Sequence, residues 1–317
     1  MVAAFQRRRG PTMHADAAVT WTVLSLLAFV LSWVGTWTLL RHFAHRFMDL
    51  PTQRSSHTMP TPRGGGIAFV PAFLAVAAVA AWVVPVEDRG TVPAPYRVAM
   101  VLLPLLLVGA RDDSRGIPAR VRYLVHLASG GLAVFWFGPL PGLEPIFGGF
   151  GAPWLGAVVT VFTFTALINF YNFMDGLDGI VGGTSAVQLA FFAFYLHQPV
   201  WWLLVAALLA FLLWNRPPAN IFMGDSGSTV LGGAVALALQ HAPDAKTMWW
   251  AGAVTAPLLA DAVFTLLRRL VQRENIFDAH KSHIYQRLNQ SGWSHGRVSA
   301  TYVAVTVLVA YFVTSLS

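Results

Sequence analysis

The chain has 317 residues, 56% of them hydrophobic and only 11% charged, with a mean hydropathy of +0.58. A soluble domain carries about 25% charged residues, so this composition excludes an ordinary water-soluble fold and asks for lipid as the solvent. The net charge of +7 sits in short segments between apolar runs, the pattern of membrane orientation rather than of a nucleic-acid-binding face, and the absence of cysteine excludes disulfides, thiolate metal sites and cysteine nucleophiles.

In chain order, the first apolar run follows Arg7, Arg8 and Arg9 and extends from about 18 to 40. It is long for a signal-peptide core and has no clear small-residue cleavage site before Arg41, which predicts a retained first helix. Nine further runs of spanning character follow at about 64–86, 95–111, 119–138, 152–172, 179–197, 199–214, 224–241, 247–270 and 298–316. Only Gln198 and Pro199 separate the sixth from the seventh. The expectation is a single all-α polytopic membrane domain over residues 1–317, with about ten transmembrane helices. On that topology, 15 of the 21 Lys and Arg residues lie in or beside the segments after odd-numbered spans, which assigns those segments to the cytoplasm. The Arg7–Arg9 cluster runs against this assignment.

Acidic residues are scarce, so their placement is informative. Five of the 14 form three tight motifs, Asp112-Asp113, Asp175 with Asp178, and Asp225, all on the face just assigned to the cytoplasm. Carboxylates at a membrane boundary are costly and point to a functional site. Hard oxygen donors without cysteine suit Mg²⁺, with Mn²⁺ as the alternative, in the arrangement used for phosphoryl transfer. Arg63-Gly64-Gly65-Gly66 opens the second span and Gly224-Asp225-Ser226-Gly227-Ser228 the eighth, and their backbone amides are expected to face a phosphate. His280 and His283, at i and i+3, are placed to reach one ligand. His126, His197 and His241 read as structural. Trp201-Trp202 and Trp249-Trp250 read as interfacial belt residues.

Five blocks then occur in a recognisable order: Asp49-Leu-Pro-Thr through Arg63-Gly-Gly-Gly66, Gly109-Ala-Arg-Asp-Asp113, Asn169-Phe-Tyr-Asn-Phe-Met-Asp-Gly-Leu-Asp-Gly179, Asn215 with Phe222-Met-Gly-Asp-Ser-Gly-Ser228, and His280-Lys-Ser-His283. Together they resemble the polyprenyl-phosphate N-acetylhexosamine-1-phosphate transferase superfamily. The resemblance implies transfer of a sugar-1-phosphate from a UDP-N-acetylhexosamine to undecaprenyl phosphate in the bacterial inner membrane. Membrane lipid is then a partner, and a homodimer is compatible with the reading. It implies that Asp112 and Asp113 act near the lipid phosphate and that Asp225 binds Mg²⁺, with Asp113 beside it. Asn169, Asn172, Asp175 and Asp178 would lie beside nucleotide and metal, and Asn215 near them, while Phe222 would stack on uracil. Arg63, Arg115, Arg120 and Arg122 are expected to attract phosphate, and His283 to take part in catalysis with His280 on the substrate. His283 is followed by Ile284-Tyr285-Gln286, where other branches carry further histidines. That pattern is similar to the O-antigen-initiating branch and argues against a muramoyl-pentapeptide substrate. The alternative from another class is a membrane transporter using the same carboxylates for ion coupling, but transporters place such charges near the bilayer midplane.

Overall fold

The computed structural model describes residues 15–51, 59–89, 94–152, 154–275 and 281–316. The Arg7–Arg9 cluster therefore lies outside the described residues. The helices are α1 (Ala15–Thr38), α2 (Gly66–Val83), α3 (Pro95–Arg115), α4 (Ala119–Phe137), α5 (Leu143–Gly149), α6 (Trp154–Met174) and α7 (Ile180–Tyr195). They continue with α8 (Val200–Asn215), α9 (Asp225–Gln240), α10 (Ala245–Gly252), α11 (Ala256–Val271), α12 (Ile284–Gln290) and α13 (His295–Leu316). Between α1 and α2, β1 (Met48–Asp49) pairs antiparallel with β2 (Thr61–Pro62), matching Met48 to Pro62 and Asp49 to Thr61.

Each of the ten predicted runs is helical. The ninth is interrupted by a 3₁₀ turn at Ala253–Thr255, just before Pro257, whose missing N–H cannot continue a helical ladder. The short α5 and α12 carry too few apolar residues to be legible as runs. Among the described residues, five helical stretches are long and apolar enough to cross a membrane: Asp16–Arg46, Gly66–Val83, Trp154–Met174, Ala245–Val271 and His295–Leu316. Large apolar side chains also cover the outside of the bundle, with Trp82 89%, Val271 83% and Phe150 81% exposed. Water does not tolerate such a surface, whereas lipid does. The protein is an all-α, multi-pass membrane protein.

The centre of the bundle is α9. Every residue from Ser226 to Gln240 is buried, and α2, α3, α6 and α7 pack around it. A helix enclosed on all sides needs small residues where neighbours approach. A Cβ on Gly232 would lie 2.7 Å from the Ile168 Cα of α6, and one on Gly109 of α3 would lie 2.5 Å from the Ser226 Cα. This packing fixes the N-terminus of α9, and with it Asp225, at one end of the bundle.

Candidate active site

The last turn of α3 and the segments that follow α1, α6, α8 and α11 meet at that end around a cavity of about 250 Å³. They bring Asp49, Asp113, Asp175, Asp178 and Asp225 to its wall, with Arg63, Asn172, Phe222, Gln286 and His295. Residues more than 200 positions apart thus share one small volume.

Backbone pairing assembles the first and fourth blocks. Phe222 N–H donates to the Pro62 carbonyl at 2.8 Å, and Gly65 and Gly66 N–H donate to the Phe222 and Met223 carbonyls, both at 3.0 Å. This corrects the expectation that the Arg63–Gly66 amides face a phosphate, because the neighbouring loop already uses two of them. The glycines serve close approach instead: a Cβ on Gly66 would collide with the Ser226–Gly227 backbone.

Asp113 has a similar outcome. Its Oδ1 accepts the Asp225 amide at 2.9 Å and its Oδ2 the Ser226 amide at 3.1 Å, so the carboxylate caps α9 from α3. The second glycine motif therefore also directs its first amides to protein. Arg63 reinforces the junction by donating from Nε to the Asp113 carbonyl at 3.0 Å. Asp112 turns away from the cavity wall. Its Oδ1 accepts the Ile117 amide at 2.7 Å and its Oδ2 lies 2.7 Å from Arg122 Nη1, which also reaches Asp225 Oδ2 at 2.8 Å. Arg122, in the first turn of α4, thereby links the second and fourth blocks.

Two asparagines tie neighbouring elements together. Buried Asn215 accepts the Gly179 amide at 3.0 Å and donates to the Ile221 carbonyl at 2.8 Å, joining the third block to the fourth. Asn172 donates to Ser228 Oγ at 3.1 Å. Asp178 Oδ2 accepts the Ala219 amide at 3.2 Å and lies 3.2 Å from His295 Nδ1, while its carbonyl accepts from Ser299 Oγ at 2.7 Å.

The electrostatics follow from this crowding. Burial, and then the charges of Asp225, Asp113 and Asp178, hold the Asp175 carboxyl well above the ordinary carboxylate value. With several carboxylates and one arginine on its wall, the cavity repels a bare diphosphate and attracts a cation. Among the described residues, no three His, Asp or Glu side chains converge to hold a metal by themselves. The donor set instead fits a Mg²⁺ held by one or two carboxylates and the phosphates that arrive with it. Asp225 and Asp175 suit that role, and Asp113 suits it less because both of its oxygens cap α9.

Several predicted residues stand elsewhere. His283 is buried at the start of α12, with Nδ1 3.4 Å from Asp261 Oδ1, and does not line the cavity. Its ring is part of a packed capping arrangement, off the wall on which the resemblance had placed it. His280 lies outside the described residues. Asn169 donates to the Thr165 carbonyl of its own helix at 2.7 Å, away from the cavity wall. Arg115 and Arg120 are exposed and off the wall. His126 is buried in α4, and His241 Nδ1 lies 2.7 Å from the Leu237 carbonyl, consistent with structural roles. Sequence reasoning missed His295 and Gln286 as lining residues and treated Asp49 only as the start of a motif. A polar residue at the start of the last span was the available signal for His295.

Comparison with known proteins identifies relatives along most of the chain. Residues 96–241 match the model of glycosyl transferase family 4. The chain is 30% identical over 326 residues to the decaprenyl-phosphate N-acetylglucosaminephosphotransferase of Mycolicibacterium smegmatis, covering 91% of this chain and 79% of that protein. It is 29% identical over 287 residues to the "Probable undecaprenyl-phosphate N-acetylglucosaminyl 1-phosphate transferase" of Bacillus subtilis, covering 84% and 74%. It is also 26% identical over 270 residues to the phospho-N-acetylmuramoyl-pentapeptide-transferase of Levilactobacillus brevis, covering 79% and 82%. With four of its five ordered blocks gathered on one cavity and these relatives matched along most of its length, the chain belongs to the polyprenyl-phosphate N-acetylhexosamine-1-phosphate transferase superfamily.

Proposed function

We propose that the protein transfers a sugar-1-phosphate from a UDP-N-acetylhexosamine to undecaprenyl phosphate, releasing UMP, as the first step of an O-antigen-like cell-envelope polysaccharide. The observation that carries this reading is the convergence of Asp175, Asp178 and Asp225 with Arg63 and Phe222 on one cavity at the end of a membrane bundle. The loops after the first, third, fifth, seventh and ninth predicted spans all reach that cavity, which supports ten crossings and a site on the cytoplasmic face of a bacterial inner membrane. Gathering the acids at one end, rather than at mid-helix, runs against the transporter reading.

In the proposed reaction, a phosphate oxygen of the lipid attacks the sugar-linked β-phosphorus. The new P–O bond forms as the bridge to the α-phosphorus breaks, and UMP leaves with the bonding pair. A phosphate monoester has a second pKa of about 6, so the nucleophile is already largely dianionic near neutrality and needs no strong base. Mg²⁺ on the diphosphate would offset charge developing on the leaving group. Asp225 and Asp175 would hold the cation that binds that end of the donor, and Phe222 offers a ring for uracil. Arg122, oriented by Asp112, presents its guanidinium to the lipid phosphate. The Ile284-Tyr285-Gln286 sequence after His283 favours the O-antigen-initiating branch over a muramoyl-pentapeptide donor.

The test combines purified protein, undecaprenyl phosphate, Mg²⁺ and a panel of UDP-N-acetylhexosamines, with UMP release as the readout. UMP formed only when lipid, metal and one donor are all present supports the reading and names the sugar. No UMP from any donor, in protein shown to be folded, overturns it for those substrates.

A further inference from the structure

We propose that Tyr285 is a positioning residue for the donor side of this site, a strut that carries the hold of Asp261 on the last loop into the Asp175–Asp178 turn. The proposal rests on the transferase reading of the cavity.

The starting observation is a buried carboxylate that the proposed reaction does not use. Asp261, in α11, is only 2% exposed. Its Oδ1 accepts the Ile284 amide at 2.7 Å and the Thr265 hydroxyl at 3.1 Å, and its Oδ2 accepts the Tyr285 amide at 2.9 Å and the Tyr302 hydroxyl at 2.6 Å. A buried carboxylate needs this many donors to be tolerated. One side chain thereby ties the start of α12 to α11 and α13.

Tyr285 is the part of that anchored segment that reaches the site. Its ring is fully buried and stacks on His283, with centroids 5.6 Å apart and planes at 22°. Its hydroxyl donates to the Phe173 carbonyl at 3.1 Å, within the last turn of α6, where carbonyls have no intrahelical donor. The same hydroxyl fills the space that a Cβ on Gly176 would need. Phe173 and Gly176 flank Asp175, and Gly176 leads to Asp178. The next residue after Tyr285, Gln286, lines the cavity. The strut thus sets two walls of the donor site together: the carboxylate turn on one side and Gln286 on the other.

Three variants test this: Tyr285→Phe, Gly176→Ala and the double variant, assayed by UMP release with donor and lipid varied separately. Tyr285→Phe should raise the donor KM about 5-fold or more and leave the lipid KM within about twofold, because only the donor wall loses its support. Gly176→Ala should be impaired, and adding Tyr285→Phe should restore part of the loss by removing the oxygen that the new methyl meets. Wild-type donor KM in Tyr285→Phe, parallel changes in both KM values, or a double variant worse than Gly176→Ala would each overturn the proposal. If wild-type protein releases no UMP with any donor, the reaction assignment fails instead. Melting temperature in detergent then still judges the strut: Gly176→Ala must melt lower than wild type and regain stability with Tyr285→Phe, and absence of that rescue overturns the contact.

Discussion

The Asp113 carboxylate holds the backbone amide of Asp225 at 2.9 Å across a sequence separation of 112 residues. One acid of the pair at the end of α3 thus acts as the helix cap that fixes the acid proposed to meet the cation. Replacing it with Ala leaves the Asp225 and Ser226 amides without their acceptor. Asp113→Ala should lose about 1–2 kcal/mol of stability, seen as a lower melting temperature in detergent. Asp113→Asn keeps one acceptor and should lose less. In both, the Mg²⁺ concentration giving half-maximal UMP release should change less than in Asp225→Asn.

Asp225 is the most direct test of the metal assignment. Asp225→Ala should lower kcat about 10³-fold or more, equivalent to about 4 kcal/mol in the barrier. The variant should still insert in the membrane and melt cooperatively, because the backbone cap from Asp113 remains. Turnover close to wild type would remove Asp225 from the metal site.

Arg122 offsets two carboxylates at once, at 2.7 Å from Asp112 and 2.8 Å from Asp225. Arg122→Gln leaves those acids uncompensated and removes the proposed contact to lipid phosphate. We expect kcat/KM for undecaprenyl phosphate to fall about 100-fold, or about 2.7 kcal/mol. Arg122→Lys should recover only part of this, since an ammonium cannot reproduce the planar fork that spans both acids. Equal activity in wild type and Arg122→Gln would exclude that contact.

Asp175 makes stability depend on pH. Its carboxyl titrates well above 3.8 in the folded protein, so between 3.8 and that higher value the native state binds more protons than the unfolded state. Stability of metal-free protein should therefore fall as pH rises through this window. Melting temperature against pH in EDTA should show that slope, Asp175→Asn should reduce it, and Mg²⁺ should oppose it by pairing with the ionised form. A flat profile in wild-type protein would contradict the crowding of Asp175 by its neighbours.

How much of this was legible in the sequence depends on how local the cause is. The ten apolar runs became helices because a helix satisfies its own backbone in an apolar setting, and a run of apolar residues is a property of neighbouring positions. The break at Gln198 and Pro199 was visible for the same reason. The split of the ninth run by a 3₁₀ turn and the fully buried environment of α9 depend on which helices pack against them.

At the site, the residue types were legible along the chain: scarce acids on one face, glycines beside them, and five ordered blocks whose resemblance carried the family. Tertiary structure alone decided what each does. It directed the Gly65 and Gly66 amides to the Phe222 loop rather than to an anion, made Asp113 a cap, and buried His283 against Asp261 while bringing His295 to Asp178. The physical reason is that a hydrogen-bonding group has few partners to satisfy, and which partner arrives is settled by helices packed from distant parts of the chain.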